Sequence, residues 1–397
     1  MKKIIFAVFL LALSFSLTGL ASAQEAKGTF KFPLITDISG RVKGWGIPQK
    51  IAFDIAIADV NAAGGINKFK VQGDVYDSSY DPKEAIQITR KLIDKGTMFI
   101  LGPFGSNECA VAFPLAVEQG VPIITTTASE LGLTEKNRPT SFRLCSPVSI
   151  VTFKPAMQAF LKKNPNIKSV AIIVEVSVPQ TIASADEVYT PLLKEAGKSI
   201  AGRVEVSKGT QDFSAHVTKI KGMKADGIVA CLMIDEAVLF AKELKRQGVN
   251  LPVIVSTHAA TPAFALAAKD AAEGWFAPGW AWYMHTDDPR IVKFLEQYRP
   301  KVKEAISGHP GDPSFVEALT YDAVMITAGI LSKAKASPEM PVKKLRQIIT
   351  DGWAKMKDYK GLMGVYTMPP DGNAIIPAEA VTCQDGVWKP LGISKVK

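Results

Sequence analysis

Cysteine and histidine are scarce in this chain, with four of each in 397 residues. None of Cys109, Cys145, Cys231 and Cys383 belongs to a Cys-x-x-Cys pair, which removes zinc-ribbon and thioredoxin chemistry. His216, His258, His285 and His309 show no His-x-x-x-His spacing, so no metal and no cofactor is expected. His285 stands in HTDDP, where Asp288 reads as a helix cap. The chain has no Gly-x-Ser-x-Gly elbow and no phosphate loop, and GRVKGWG does not fit the dinucleotide fingerprint. With no catalytic constellation, the expectation is a protein that performs no chemistry. Outside the first three residues no Lys/Arg run exceeds two residues. The net charge of +9 therefore describes a solvated basic surface, not a nucleic-acid groove.

Long apolar runs are also rare. The one that stands out is Ile4 to Leu20, preceded by Lys2 and Lys3 and followed by Ala21-Ser22-Ala23. That is the pattern of a secretory signal peptide over residues 1–23, cleaved after Ala23. A membrane anchor is the alternative, since the run is near the lower spanning limit. The cleavage pattern and the polar Gln24 favour export, and no later stretch is expected to cross a membrane. Losing Lys2 and Lys3 lowers the net charge from +9 to +7. In an exported chain the cysteines are free to pair. Cys109–Cys145 and Cys231–Cys383 are the economical pairings, with four buried thiols as the alternative.

The remainder alternates strand and helix. FKFPLIT, KVQGDVYDS, MFILGP and VPIITTT read as strands, separated by helices over Ile51–Val60, Asp81–Gly96 and Asn107–Gly120. The rhythm restarts after SFRLCSP with SVAIIVEV, GIVACLMI and LPVIVST as strands. EGWFAPGWAWYMHTDDP breaks it. Three helical runs follow, at about 288–305, 313–335 and 342–356. The end is strand-like, with Gln384-Asp385-Gly386 as a hairpin turn. This predicts an α/β chain of two doubly wound parallel-sheet lobes.

Ligands of such sheets sit at the carboxyl ends of the strands. The first-lobe loops there are SGRVKGWG, YDSSYDP, GPFGSN and TTTASE, and three are rich in hydroxyls and glycine. Ser106, Thr127 and Ser129 stand near helix or turn starts that suit a carboxylate or phosphate. Ordinary helix capping is the competing reading. Trp45 stands between two glycines in what reads as a loop ahead of the Ile51 helix, an odd place for a large apolar ring.

The order of these blocks resembles the leucine/isoleucine/valine-binding proteins of bacterial branched-chain amino-acid ABC importers, which are type I periplasmic binding proteins. SGRVKGWG, NAAGGI, YDSSYDPKEA, GPFGSNECAVAFPLAVEQGVPIITTTASELGLT, FRLCSP and TYDAV carry the resemblance. It implies two lobes joined by a three-stranded hinge, here 28–144 with 278–361 and 145–277 with 362–397. It also implies a periplasmic monomer that closes on a small solute and delivers it to a permease with its ATPases. Contact with the membrane would come only through that permease. A receptor-coupled sensor is the alternative role. Residue by residue, the resemblance puts Ser106 on the solute carboxylate, Thr127 and Ser129 on its carboxylate and ammonium, and Trp45 against its side chain. Packing of Trp45 on its own lobe is the alternative. The second lobe departs from the family pattern. Pro179 and Met233 stand near the expected tyrosines. Thr257, beside His258, stands where an acid would hold the solute ammonium. The expected solute is therefore an aromatic or branched carboxylic or keto acid, with amino acids less favoured. Glu175, Asp235 and Glu236, near strand ends, are the acids that would restore amino-acid binding by turning into the cleft.

Overall fold

The computed structural model describes residues 28–146, 148–280, 282–284, 287–374, 376 and 378–391. The signal-peptide expectation and His285 fall outside them. Five parallel strands form the first sheet: β1 (Thr29–Thr36), β2 (Lys70–Asp77), β3 (Ile100–Leu101), β4 (Ile123–Thr125) and β5 (Ser141–Arg143), in the order β2-β1-β3-β4-β5. Helices α1 (Lys43–Ala62), α2 (Pro82–Asp94) and α3 (Ser106–Glu118) connect them. Asp81 caps α2 by accepting from the Lys83 N–H at 2.7 Å, and Pro82 occupies the first turn, where its missing N–H costs nothing.

After α4 (Ile150–Lys163) the chain builds the second sheet from β6 (Ser169–Glu175), β7 (Ser199–Val206), β8 (Gly227–Cys231), β9 (Val253–Val255) and β10 (Phe276–Gly279). Its connections are the helical run α5 (Pro179–Ala183) and α6 (Thr190–Glu195), bridged by a π-helical turn at Ser184–Tyr189, then α7 (Ser214–Gly222), α8 (Ile234–Arg246) and α9 (Pro262–Ala268). Helices α10 (Pro289–Ala305), α11 (Phe315–Lys333) and α12 (Val342–Ala354) return to the first unit. A small ladder of β11 (Tyr359–Gly361) and β12 (Gly364–Tyr366) follows. The hairpin β13 (Glu379–Gln384) and β14 (Val387–Pro390) then joins the second sheet, ordered β14-β13-β10-β9-β8-β6-β7. Asp385 and Gly386 both have positive φ, which the tight turn of that hairpin needs. The fold is α/β, with one parallel and one mixed sheet. Among the described residues the chain passes between them three times.

Two crossings lie side by side. Arg143 N–H donates to Gly372 O at 2.8 Å, Ala374 N–H to Arg143 O at 3.0 Å, and Ile376 N–H to Ser146 Oγ at 2.6 Å. Tyr366, Met368, Ala374 and Ile376 pack in the core of the first sheet, although the sequence expectation grouped residues 362–397 with the second lobe.

One local expectation needs correction, and the structure bears on two others. The segment read as a break in rhythm contains β10, parallel to β9 and antiparallel to β13. Pro278 and Gly279 disguise it. A Cβ at Gly279 would lie 2.7 Å from the cross-strand Val381, so glycine is what this strand position accepts. Helix α11 is long and apolar enough to cross a membrane by length and composition, but it is a mostly buried core helix packed against α1 and α12. The four cysteines are free and buried. Each proposed pair is divided between the hydrophobic clusters on opposite faces of its sheet: Cys109 from Cys145, and Cys231 from Cys383.

The ladder β11–β12 is tied to α11 by a buried acid. Asp322 Oδ2 accepts from the Tyr366 hydroxyl at 2.6 Å and from Leu362 N–H at 2.8 Å. Burial raises its carboxyl to about 7, against the lowering effect of those bonds. The folded chain thus keeps a proton that the unfolded chain, with an ordinary carboxyl near 3.8, releases. This contribution to stability is complete below about pH 4 and is lost as pH rises through 7. Asp322→Asn stays neutral throughout. Thermal melts from pH 4.5 to 8 should show the wild type losing stability relative to the variant as pH rises. Parallel curves would contradict the buried-proton account.

Candidate functional site

The segments that follow the parallel strands of both sheets converge on one chamber. Trp45 follows β1, Tyr80 follows β2, Phe104 and Gly105 follow β3, and Thr127 and Ser129 follow β4. From the second sheet come Gln180 after β6, Met233 after β8, and Thr257 and His258 after β9. Cys145 and Ser146 on a crossing segment, Trp280, and the α11 start Phe315–Val316 complete the wall. The cavity left between these side chains is small, about 40 Å³. Trp45 and Met233 also border an outer cleft between the sheets.

Trp45 lies in the first turn of α1 and not in a loop. The helix starts early because Asp37 organises the turn before it, with its carboxylate accepting from Val42 N–H at 2.6 Å and also from Gly40 N–H. Gly46 then lies against the Asp37 carbonyl, where a Cβ would come within 1.6 Å. The indole is covered. Phe315 and Phe104 meet it edge-on at 5.6 and 6.4 Å between centroids, and Val178 and Met233 approach from the second sheet. Trp45 therefore packs on its own unit and across the cleft together. Its Nε1 is buried without a protein partner, as are Trp280 Nε1 and Gln180 Oε1. Three such groups around one chamber mark places where an occupant or water completes the hydrogen bonding.

The TTTASE loop is held from behind. Thr125 Oγ1 accepts from Ala128 N–H at 3.0 Å, Thr127 Oγ1 donates to Phe104 O at 2.6 Å, and Ser106 Oγ accepts from Glu130 N–H at 3.2 Å. Arg143, fully buried, donates to the Ala128 and Glu130 carbonyls and to Asn373 Oδ1, all uncharged acceptors. Desolvation lowers its pKa, opposed by the nearby Glu135 and Asp371 carboxylates.

Among the described residues, no Asp, Glu, Lys or Arg side chain lines the chamber. His258 adds no charge near neutrality, because burial pushes its imidazole down to about 4. Its Nδ1 lies 3.0 Å from Ser256 Oγ. The acids flagged in the sequence are elsewhere. Glu175 and Glu236 are buried and both bind Arg41, with its Nη2 at 2.6 and 3.0 Å from their Oε1 atoms. Asp235 borders the outer cleft, and desolvation followed by Glu236 raises its carboxyl above the ordinary range.

Six of the eight residues singled out in the sequence line the chamber: Trp45, Thr127, Ser129, Met233, Thr257 and His258. Ser106 and Pro179 do not, although their neighbours Gly105 and Gln180 do. Ser106 instead ties the TTTASE loop, and Pro179 opens α5. Tyr80, Phe104, Cys145, Ser146, Gln180, Trp280, Phe315 and Val316 were not singled out. The strand-end rule reaches Tyr80 and Phe104, which lie in loops already flagged. Phe315 follows the Ser314–Glu317 capping box, a signal for the start of α11 but not for what that start faces. By NMR, the His258 ring should show no titration between pH 5.5 and 8. A midpoint near 6.5 would mean that the chamber can acquire positive charge and would contradict this electrostatic picture.

Comparison with known proteins agrees with this arrangement. The family model described as periplasmic binding protein matches residues 29–386. The leucine-, isoleucine-, valine-, threonine-, and alanine-binding protein of Pseudomonas aeruginosa is 25% identical over 333 residues, covering 83% of this chain and 86% of that one. The branched-chain amino acid transporter substrate binding protein LivJ from Streptococcus pneumoniae, solved with isoleucine, superposes with a TM-score of 0.77 at 24% identity, covering 91% of this chain and 98% of that one. A solute binding protein of an ABC transporter from R. palustris, solved with 4-hydroxybenzoate, gives 0.76 at 19% identity, covering 92% and 96%. A strand-end chamber between two sheets and a family match over residues 29–386 lead to one conclusion: the chain belongs to the periplasmic binding protein family, a family of binding proteins and not of enzymes.

Proposed function

We propose that this chain is the periplasmic substrate-binding component of an ABC importer of the branched-chain amino-acid type, and that its solute is an aromatic or branched acid with a carboxylate and no α-ammonium. The observation that carries the reading is the missing counter-charge. An ammonium enclosed with the solute needs a carboxylate, and an unpaired buried ion costs several kcal/mol. Among the described residues the chamber wall offers none, and Glu175 and Glu236 are engaged by Arg41. A solute carboxylate meets better conditions. Thr127 and Ser129 are at the wall, and behind their loop stands the Arg143 guanidinium, hydrogen-bonded only to neutral acceptors. Trp45, Tyr80, Phe104, Trp280 and Phe315 supply flat apolar surface for a ring or a branched chain. Gln180 Oε1, buried on the chamber wall, would suit a solute hydroxyl as its acceptor.

The structural neighbours include an isoleucine complex and a 4-hydroxybenzoate complex, so the fold accommodates either class. Closure by hinge motion buries the solute and creates the two-lobed surface that a permease reads, and the chain acts as a monomer. The test is paired titration calorimetry on refolded, ligand-free protein. 4-Hydroxybenzoate or 4-methyl-2-oxopentanoate should bind at least about a hundredfold more tightly than phenylalanine or leucine, the equivalent of an unpaired ammonium. Tighter binding of either amino acid would overturn the reading.

A further inference from the structure

Arg41 belongs to neither the chamber wall nor the hydrophobic core. It sits in the turn between β1 and α1, on the first unit. Its two partners belong to the second: Glu175 ends β6 and Glu236 lies in the first turn of α8. The contact therefore spans the outer cleft. Both carboxylates are almost wholly buried, and the guanidinium side chain is only 13% exposed. Each acid is also held in place by its own unit. Ser177 Oγ donates to Glu175 Oε1 at 2.9 Å, Met233 N–H reaches Glu175 Oε2 at 3.4 Å, and Gly209 N–H donates to Glu236 Oε1 at 2.9 Å. The acceptor half is thus built before Arg41 arrives, and Met233, one of its holders, is also chamber wall.

We propose that Arg41 is a positioning residue that latches the two lobes, supplying from within the chain the cation that the second-lobe carboxylates take up on closure. Two like charges held together in the second lobe favour any conformation that brings a cation to them. Closure does so without help from the solute, so the closed state has a favourable ion-pair contribution even when the chamber holds an uncharged or purely anionic ligand. The geometry across the cleft supports this whether or not the solute proposed above is correct.

The test uses the whole mature chain with Arg41→Met, which keeps the stem and removes the charge, and Arg41→Lys, which keeps the charge. Small-angle scattering of ligand-free protein should show that Arg41→Met has a larger radius of gyration than wild type. Raising salt from 20 mM to 1 M should open the wild type and leave Arg41→Met unchanged, while Arg41→Lys should retain part of the salt response. Stopped-flow release of 4-hydroxybenzoate should be about tenfold faster or more in Arg41→Met, the equivalent of one lost charge-assisted hydrogen bond. Equal radii and equal salt responses for wild type and Arg41→Met would overturn the latch. If 4-hydroxybenzoate fails to bind wild type, the proposed solute is in question, while the scattering result still decides the latch.

Discussion

A charge enclosed between two closing surfaces must meet an opposite charge or stay in water. The energetics of this molecule turn on how that constraint is met. The second unit presents two buried carboxylates, Glu175 and Glu236, at the cleft. The first answers with Arg41, so the ion pairing lies in the outer cleft, and the described residues of the chamber behind it include no Asp, Glu, Lys or Arg. Against an apolar replacement of all its members such a bridge adds little net stability, because desolvation offsets most of the attraction, but losing the cation alone leaves two buried carboxylates uncompensated. Its effect is on which conformations are allowed, since parting either partner while the acids stay buried is expensive. The apolar contacts of Trp45 and Phe104 with Val178 and Met233 act in the same direction, each buried side chain contributing about 1.5–3 kcal/mol.

The chamber is a product of strand termination. Parallel strands end together, so every following loop arrives at the same edge. Rigid elements then fix the polar groups there. Arg143 and Ser106 hold the TTTASE loop from behind, and Gly46 lets α1 begin close against the end of β1. The oddly placed tryptophan of GRVKGWG thus has an explanation: its ring is part of an aromatic cluster, and its Nε1 is left for whatever enters.

Much of the fold was legible because periodicity and capping are local. Strands β1 to β4, β6, β8 and β9, the Asp81 and Asp288 caps, the three late helices and the terminal hairpin all follow from short-range pattern, whereas β5 and β7 are absent from the sequence reading. Strand β10 was hidden because Pro278 and Gly279 are tolerated there only through its particular neighbours. The same division holds at the site. Trp45, Thr127, Ser129, Met233, Thr257 and His258 line the chamber, as strand ends and resemblance suggested. Trp280 and Phe315 could not be found that way, because they reach the chamber through tertiary packing of segments hundreds of residues downstream of β1. Nor could the pairing of Arg41 with Glu175, 134 residues away. The sequence left three acids as candidates for an ammonium, and only the three-dimensional structure shows that two of them are already engaged.

The central claim is that the chamber selects a carboxylate without an ammonium. Protein purified without denaturation from cells grown on rich medium is exposed to abundant free amino acids. Mass spectrometry of the small molecules released from it by acid measures that selection directly. The account predicts no stoichiometric amino acid, and an amine-free carboxylic or keto acid as the bound species. Stoichiometric leucine, isoleucine, valine or phenylalanine would contradict it.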